Sequence, residues 1–418
     1  MIIRRTSFAV AVSLALVASS CGGDDDTSAD TTAPSAVSTI ESSPADGTAT
    51  TVGTATDETT VPSSGGTETT MAPSDGGDQV VAGEPFPDER CAANQDAGTI
   101  NYFSGFDYAA AASIIEVLVA QQAGYYDELC LDVKFTPSFS TANYALVADG
   151  QAQFSSSGSF SELATQAASN DADLIALSVD GYAPIDVLMV KPDRAASLDE
   201  LAGTTIGVKG ALPPAVAVML QQEAGLVEGD DYQTALLDGF DPVAQWAISD
   251  ISALPGWRSN EPGVLERAGE TFDLYDPADY DVPGSFGLIY TSRDFLDAHP
   301  TAAVDFMRAT LRGLADTIAD PAAAAAAAFE LVEANGNPNF LSAEGETFRA
   351  TTDMATVVDN LPEGAWPGEV VPAELTAQIE AYDAVGYYEA GAPATDGRYD
   401  VDLVTSLYDA DGNVIWPG

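Results

Sequence analysis

Positive charge is scarce in this chain. Fourteen Lys and Arg stand against 65 Asp and Glu, a formal net charge of −51 over 418 residues. Such a surface has nothing with which to neutralise phosphates, so nucleic acid is excluded as a partner. Electrostatic docking on anionic lipid is excluded with it. Histidine is scarcer still: His299 stands alone, in DAHPTAA, where it reads as a helix cap. An unsupported imidazole cannot serve a Ser/His/Asp set, and with three cysteines it makes no Cys/His metal cluster. The acidic run Asp24–Asp26 lacks the alternating ligands of a calcium loop, and DADGN at 409–413 lacks the closing Glu. There is no P-loop, no internal repeat and no second membrane segment. No metal, no cofactor and no catalytic activity are expected.

What is present begins with MIIRR and an apolar run from Phe8 to Ala18, too short to span a bilayer. Small residues and Cys21 follow. Residues 1–21 read as a lipoprotein signal peptide whose Cys21 takes the lipid; an ordinary secretory signal cut nearby is the alternative, and either exports the protein. Residues 22–89 are mostly Thr, Ser, Asp, Gly, Ala and Pro, with almost no aromatic residue and no Lys or Arg. Such a segment buries too little apolar surface to offset its ordering entropy. It is expected to be a disordered tether, with a reach on the order of 5–6 Å times the square root of its length. Cys91 and Cys130 then remain in an oxidising compartment. They are expected to pair, for roughly 3–4 kcal/mol in the chain-entropy view; two buried free thiols are the alternative.

The remaining residues are too many for one compact core and suit two lobes. TINYF (99–103) reads as a strand, and DYAAAASIIEVLVAQQAG as a helix stopped at Gly124. LDVKFTP, AQFSSSG, DLIALSV and DVLMVKP read as strands, with helices in TANYALVADG and SFSELATQAASN. That order calls for a mostly parallel sheet with helices on both faces. TTIGVKG starts a second series through TALLDG, SALPGW and TFDLYDP. From Thr301 onward the chain reads as largely helical.

Five blocks, in order, carry a resemblance. QQAGYYDELCLDVKF, ALVADGQAQFSSSGSFSELATQA, SLDELAGTTIGVKG, WRSNEPGVLERAG and RDFLDAHPTAAVDFMRATLRGLADTIADPAAAA resemble the substrate-binding proteins of ABC importers. The group is the one that binds thiamine-pyrimidine precursors, riboflavin, nitrate and alkanesulfonates. The resemblance runs from about Thr99 to Tyr388. It implies an α/β, type II periplasmic-binding fold of two lobes around a cleft, with 95–185 and 290–418 in the first lobe and 186–289 in the second. It implies a monomer that holds a small-molecule ligand, works with an ABC permease and ATPase, and sits on the outer face of the cell membrane by its N-terminal lipid. The family also includes enzymes that build the thiamine pyrimidine. This chain lacks their Cys-rich motif, so it is expected not to be one.

The ligand implied is a small heteroaromatic solute, with a nitrate, sulfonate or taurine binder as the alternative. Trp257 offers a ring face for stacking. Asn260 offers a donor and an acceptor, and Glu261 an acceptor for an exocyclic amine or hydroxyl. The plainer reading is that Ser259 or Asn260 caps a helix and Pro262 fills its first turn. Phe106, Asp107 and Tyr108 follow the first strand, where the family's first cleft loop lies; core packing and capping are the alternatives. Ser156, Ser157, Gly158 and Ser159 follow the third strand as cleft groups or as a polar turn. Lys209 would serve an anion or be a solvated loop residue. Arg258 is expected to point away from Trp257.

Overall fold

The computed structural model describes residues 79–418, apart from residue 240 and residues 337–340. The expected signal peptide 1–21, Cys21 and residues 22–78 of the expected tether lie outside the described residues.

Among the described residues ten strands form two sheets. In chain order they are β1 (Thr99–Phe103), β2 (Asp132–Thr136), β3 (Phe154–Ser157), β4 (Leu174–Gly181), β5 (Asp186–Val190), β6 (Thr205–Val208), β7 (Gln233–Leu236), β8 (Ala253–Trp257), β9 (Asp273–Tyr275) and β10 (Phe286–Ser292). The first sheet has the order β2-β1-β3-β10-β4 and the second β7-β6-β8-β5-β9. β1 pairs in parallel with β2 and β3. β10 runs antiparallel between β3 and β4. The first sheet is mostly parallel as expected, with one exception that the sequence reading did not include: the chain leaves through β4, builds the second sheet, and β10 returns antiparallel to split β3 from β4. Both β4 and β10 are buried along their whole length, as strands covered on both faces must be.

Apolar clusters fill both faces of the first sheet. Helices 115–123 and 300–319 pack on one face, where Phe154 and Phe306 stack at 4.0 Å. On the other lie Phe160, Leu163 and Leu375. The second sheet is covered by helix 214–224. Helix Pro372–Ala384 joins both lobes: Leu375 and Ile379 pack with the first and Tyr382 with the second. The return segment is thus shared between lobes rather than confined to the first.

Two expectations change. Residues 79–89, read as tether, are tied to the fold although largely exposed: Val80 is buried, the Gly83 N–H donates to the Trp416 carbonyl at 3.0 Å, and the Gly418 N–H donates to that of Glu84 at 2.8 Å. A helix begins at Asp88, and Cys91 is bonded to Cys130. Arg90 clamps buried Asp305 through two nitrogens, at 2.6 and 3.0 Å. The second change is in DYAAAASIIEV, where the helix begins only at Ile115. The Ala110 N–H donates to Glu346 at 2.6 Å and the Ala112 N–H to Asp353 at 3.0 Å. Carboxylates from a distant helix hold these amides, so the alanines follow an irregular path along the cleft.

Candidate cleft between the two lobes

β8 ends at Trp257, and helix Glu261–Ala268 starts four residues later. Neither Ser259 nor Asn260 caps that helix by its side chain, although Pro262 does fill its first turn. Glu261 instead folds back over the strand: Oε2 accepts the Trp257 N–H at 2.7 Å and Oε1 accepts from Lys209 Nζ at 2.6 Å. Gly256 makes room for this, because a Cβ there would stand 2.6 Å from the Cβ of Glu261. The carboxylate also lies at a helix N-terminus, where the backbone dipoles favour negative charge. Asn260 Oδ1 accepts from Arg349 Nη2 at 2.9 Å. Arg258 turns away from the ring and pairs with Asp276 at 2.6 Å.

The cleft is lined from the first lobe by Phe106, Ser156, Ser157, Gly158 and Phe286, and from the second by Trp257. Trp257 is 42% exposed, so its ring is available to a solute. The serines are largely committed. Ser156 Oγ accepts the Gly105 N–H at 2.5 Å, and Ser157 Oγ lies 2.7 Å from the Tyr144 hydroxyl. Ser159 caps helix Phe160–Ser169 by accepting the Glu162 N–H at 3.2 Å. Tyr108 stacks on Phe135 at 5.3 Å, the packing alternative. Asp107 has a left-handed φ of 47°, and its N–H donates to the Ser138 carbonyl at 3.1 Å. Asp107, Tyr108, Ser159, Lys209, Asn260 and Glu261 are not among the residues lining the cleft.

Groups not singled out from the sequence complete the wall. Glu162, Arg349 and Asp353 line it. Helix Ala343–Asp359 supplies Arg349, whose Nε donates to Glu346 at 3.3 Å. Behind Gly287 lie the buried carboxyls of Asp180 and Glu116. Gly287 has φ +65°, and a Cβ there would stand 2.8 Å from Asp180 Oδ2. Burial pushes the Asp180 carboxyl up to about 7, against the lowering effect of its hydrogen bond with Glu116. Burial and the Asp180 charge push Glu116 well above the carboxylate range. Asp353 is raised by burial, against the Ala112 N–H, the Ser259 hydroxyl and Arg349. His299 sits at the N-terminus of helix 300–319 and makes no side-chain cap. Among the described residues no group of three or more His, Cys, Asp or Glu is placed to hold a metal ion, and no helix is long and apolar enough to cross a membrane.

Two five-stranded α/β sheets, joined by a double crossover and facing each other across a cleft, define a periplasmic-binding-protein fold. The same fold occurs in the putative periplasmic sulfonate-binding protein SsuA of Methylobacillus flagellatus KT, with a TM-score of 0.55 and 14% identity over 74% of this chain and 93% of that one. It occurs also in the nitrate-binding protein NrtA of Synechocystis PCC 6803, with a TM-score of 0.51 and 12% identity over 74% and 87%. A family model described as NMT1/THI5 like matches residues 111–324, and the chain belongs to that family. The riboflavin-binding protein RibY of Chloroflexus aurantiacus is 30% identical over 128 residues, 30% of this chain and 36% of that protein. The match thus spans about a third of the length of that curated relative.

Proposed function

We propose that the protein is the extracytoplasmic solute-binding component of an ABC importer. It captures a small heteroaromatic solute by closing two lobes on it and hands the closed complex to a permease and ATPase. The observation that carries this reading is the cleft wall, to which the first lobe contributes Phe106 and the second the half-exposed ring of Trp257. The cations nearby are spent on protein partners, Lys209 on Glu261, Arg258 on Asp276 and Arg349 on Glu346. A flat, uncharged or weakly cationic ring suits that lining better than nitrate or a sulfonate. The riboflavin named for the Chloroflexus relative is a solute of this kind, and a thiamine-pyrimidine precursor is another.

In this reading Cys21 carries the lipid, the protein acts as a monomer on the outer face of the membrane, and no chemistry is performed. Thermal-shift melts of the purified protein against hydroxymethylpyrimidine, formylaminopyrimidine, riboflavin and taurine test the ligand class. A heteroaromatic compound is expected to raise the melting temperature by mass action; a shift with taurine alone sinks the proposal. Turnover of pyridoxal phosphate with iron would overturn the non-enzymatic part. Intact-mass analysis of the membrane fraction, with Cys21→Ser as control, tests the anchor.

A further inference from the structure

Gly263 has no conformational reason to be glycine. It is the third residue of helix Glu261–Ala268, and its backbone is not in the left-handed region. Glycine inside a helix is less favourable than alanine, so the position is used for its space. A Cβ there would stand 2.6 and 2.7 Å from Cδ1 and Cε1 of Phe348. Phe348 belongs to helix Ala343–Asp359, whose Ala350, Met354 and Val357 are buried in the core of the first lobe. Leu265, on the glycine's own helix, packs instead with Met189 and Leu254 of the second sheet. A ring of one lobe thus rests on a bare patch of helix in the other.

Three more contacts join the same two elements. The Arg267 guanidinium lies over the Phe348 ring, 5.9 Å from its centre. Arg349 Nη2 donates to Asn260 Oδ1 at 2.9 Å. The Ser259 hydroxyl, just before the second-lobe helix, donates to the Asp353 carboxyl. Glu346 and Asp353 of helix 343–359 also hold the Ala110 and Ala112 amides of the cleft wall. One helix therefore carries part of the first lobe's wall and its contact with the second lobe. The seam is small and mostly polar, and each lobe keeps an apolar core of its own without it. Contacts of this kind between domains are ones that motion can break and remake.

We infer that helix 343–359 is a closure latch, with Phe348 seated in the notch at Gly263, and that the fit of ring and notch sets the fraction of molecules that stand closed. Opening lifts the ring from the notch and breaks the Arg349–Asn260 and Asp353–Ser259 bonds with it; closing remakes all three. The affinity measured for a solute scales with the fraction of molecules in the binding-competent state. Phe348 therefore tunes capture although it does not line the cleft. That link to capture rests on the solute-binding reading above, whereas the latch holds whatever the solute is.

Spin-label distances between the lobes decide it. The labels go on Gln151→Cys in the first lobe and Glu223→Cys in the second, both at exposed positions, in the exported full chain, whose Cys91 and Cys130 are bonded to each other. A methyl at Gly263 meets the ring, so Gly263→Ala is expected to raise the ratio of open to closed molecules about 5- to 150-fold, the range for an overpacked contact. Phe348→Ala is expected to raise it less. Combining the two is expected to bring the ratio below that of Gly263→Ala alone, because without the ring the methyl has room. Unchanged distances in Gly263→Ala overturn the latch, and so does a double variant at least as open as Gly263→Ala. Should Gly263→Ala fail to fold, Phe348→Ala decides, and distances equal to those of the unmodified chain overturn the latch. Distances that shift as expected while neither riboflavin nor hydroxymethylpyrimidine binds uphold the latch and overturn its link to the capture of such solutes.

Discussion

The two walls of the cleft handle their polar groups in opposite ways. In the second lobe Glu261 takes both Lys209 and the Trp257 N–H, and Asn260 is taken up by Arg349 from the first lobe. What remains for a solute is one ring. In the first lobe the acids Glu162 and Asp353 stand in the wall itself, and a carboxyl pair lies behind Gly287. The second lobe therefore offers shape and stacking, which many flat molecules satisfy. The first lobe offers a donor–acceptor demand, which few do, and a hydrogen-bonding site discriminates more sharply than an apolar one.

The sharpest difference should appear on changing pH. Asp180 is protonated more readily folded, at about 7, than unfolded, at about 3.9. Between those values the native state binds the extra proton, so this contribution to stability is complete below about pH 4 and is lost as pH rises towards 7. The slope is at most about 1.4 kcal/mol per pH unit for one group. Urea midpoints taken from pH 5 to 8 are expected to fall, and Asp180→Asn is expected to flatten the fall. A slope unchanged in that variant would place the titrating group elsewhere.

Glu261→Ala probes the other wall. It strands a partly buried Lys209 and the Trp257 N–H together, and is expected to cost about 2–3 kcal/mol, below the full cost of breaking a deeply buried pair because Lys209 keeps some water. Pairing Glu261→Leu with Lys209→Met should recover most of it. A loss under about 0.5 kcal/mol in equilibrium unfolding would mean the second lobe is not self-satisfied.

How much of this was legible in the sequence follows the range of the contacts. Strands such as DLIALSV and DVLMVKP are apolar runs, and local pattern suffices to find them. The insertion of β10 between β3 and β4 leaves no local trace. WRSNEP drew attention as a polar block, and Trp257 does line the cleft. Asn260 and Glu261 turn inward because their partners are Arg349 and Lys209, 89 and 52 residues away. The alanines after Tyr108 read as helix by propensity, yet Glu346 and Asp353, 236 and 241 residues on, hold their amides. The exposed ring was visible locally; the buried acids that give the cleft its chemistry were not, because a carboxylate far down the chain looks like one more surface charge in a chain with 65 of them.

Trp257→Ala gives a smaller effect, and one confined to binding. The ring is 42% exposed, so the fold loses little. Stacking of aromatic pairs is worth about 0.5–1.5 kcal/mol beyond area, so affinity for a heteroaromatic solute should fall about 3- to 10-fold in calorimetric titration, with the denaturation midpoint nearly unchanged. Unchanged affinity would remove Trp257 from the site and leave the second lobe with no solute contact of its own.

Asn260→Ala should have the smallest effect and is the most informative about division of labour. Its Oδ1 touches Arg349 of the helix that carries Asp353, so it links the lobes without facing the solute. Arg349 keeps Glu346, so the loss should be near that of one ordinary hydrogen bond, about 0.5–1.5 kcal/mol. If the lobes meet through this contact in the closed form, the variant should release ligand faster with little change in association rate, because opening rather than encounter is what the bond opposes. Stopped-flow dissociation separates the cases. A slower association with unchanged release would make Asn260 a group that the solute itself meets on entry, and the second wall would then read polar edges as well as ring faces.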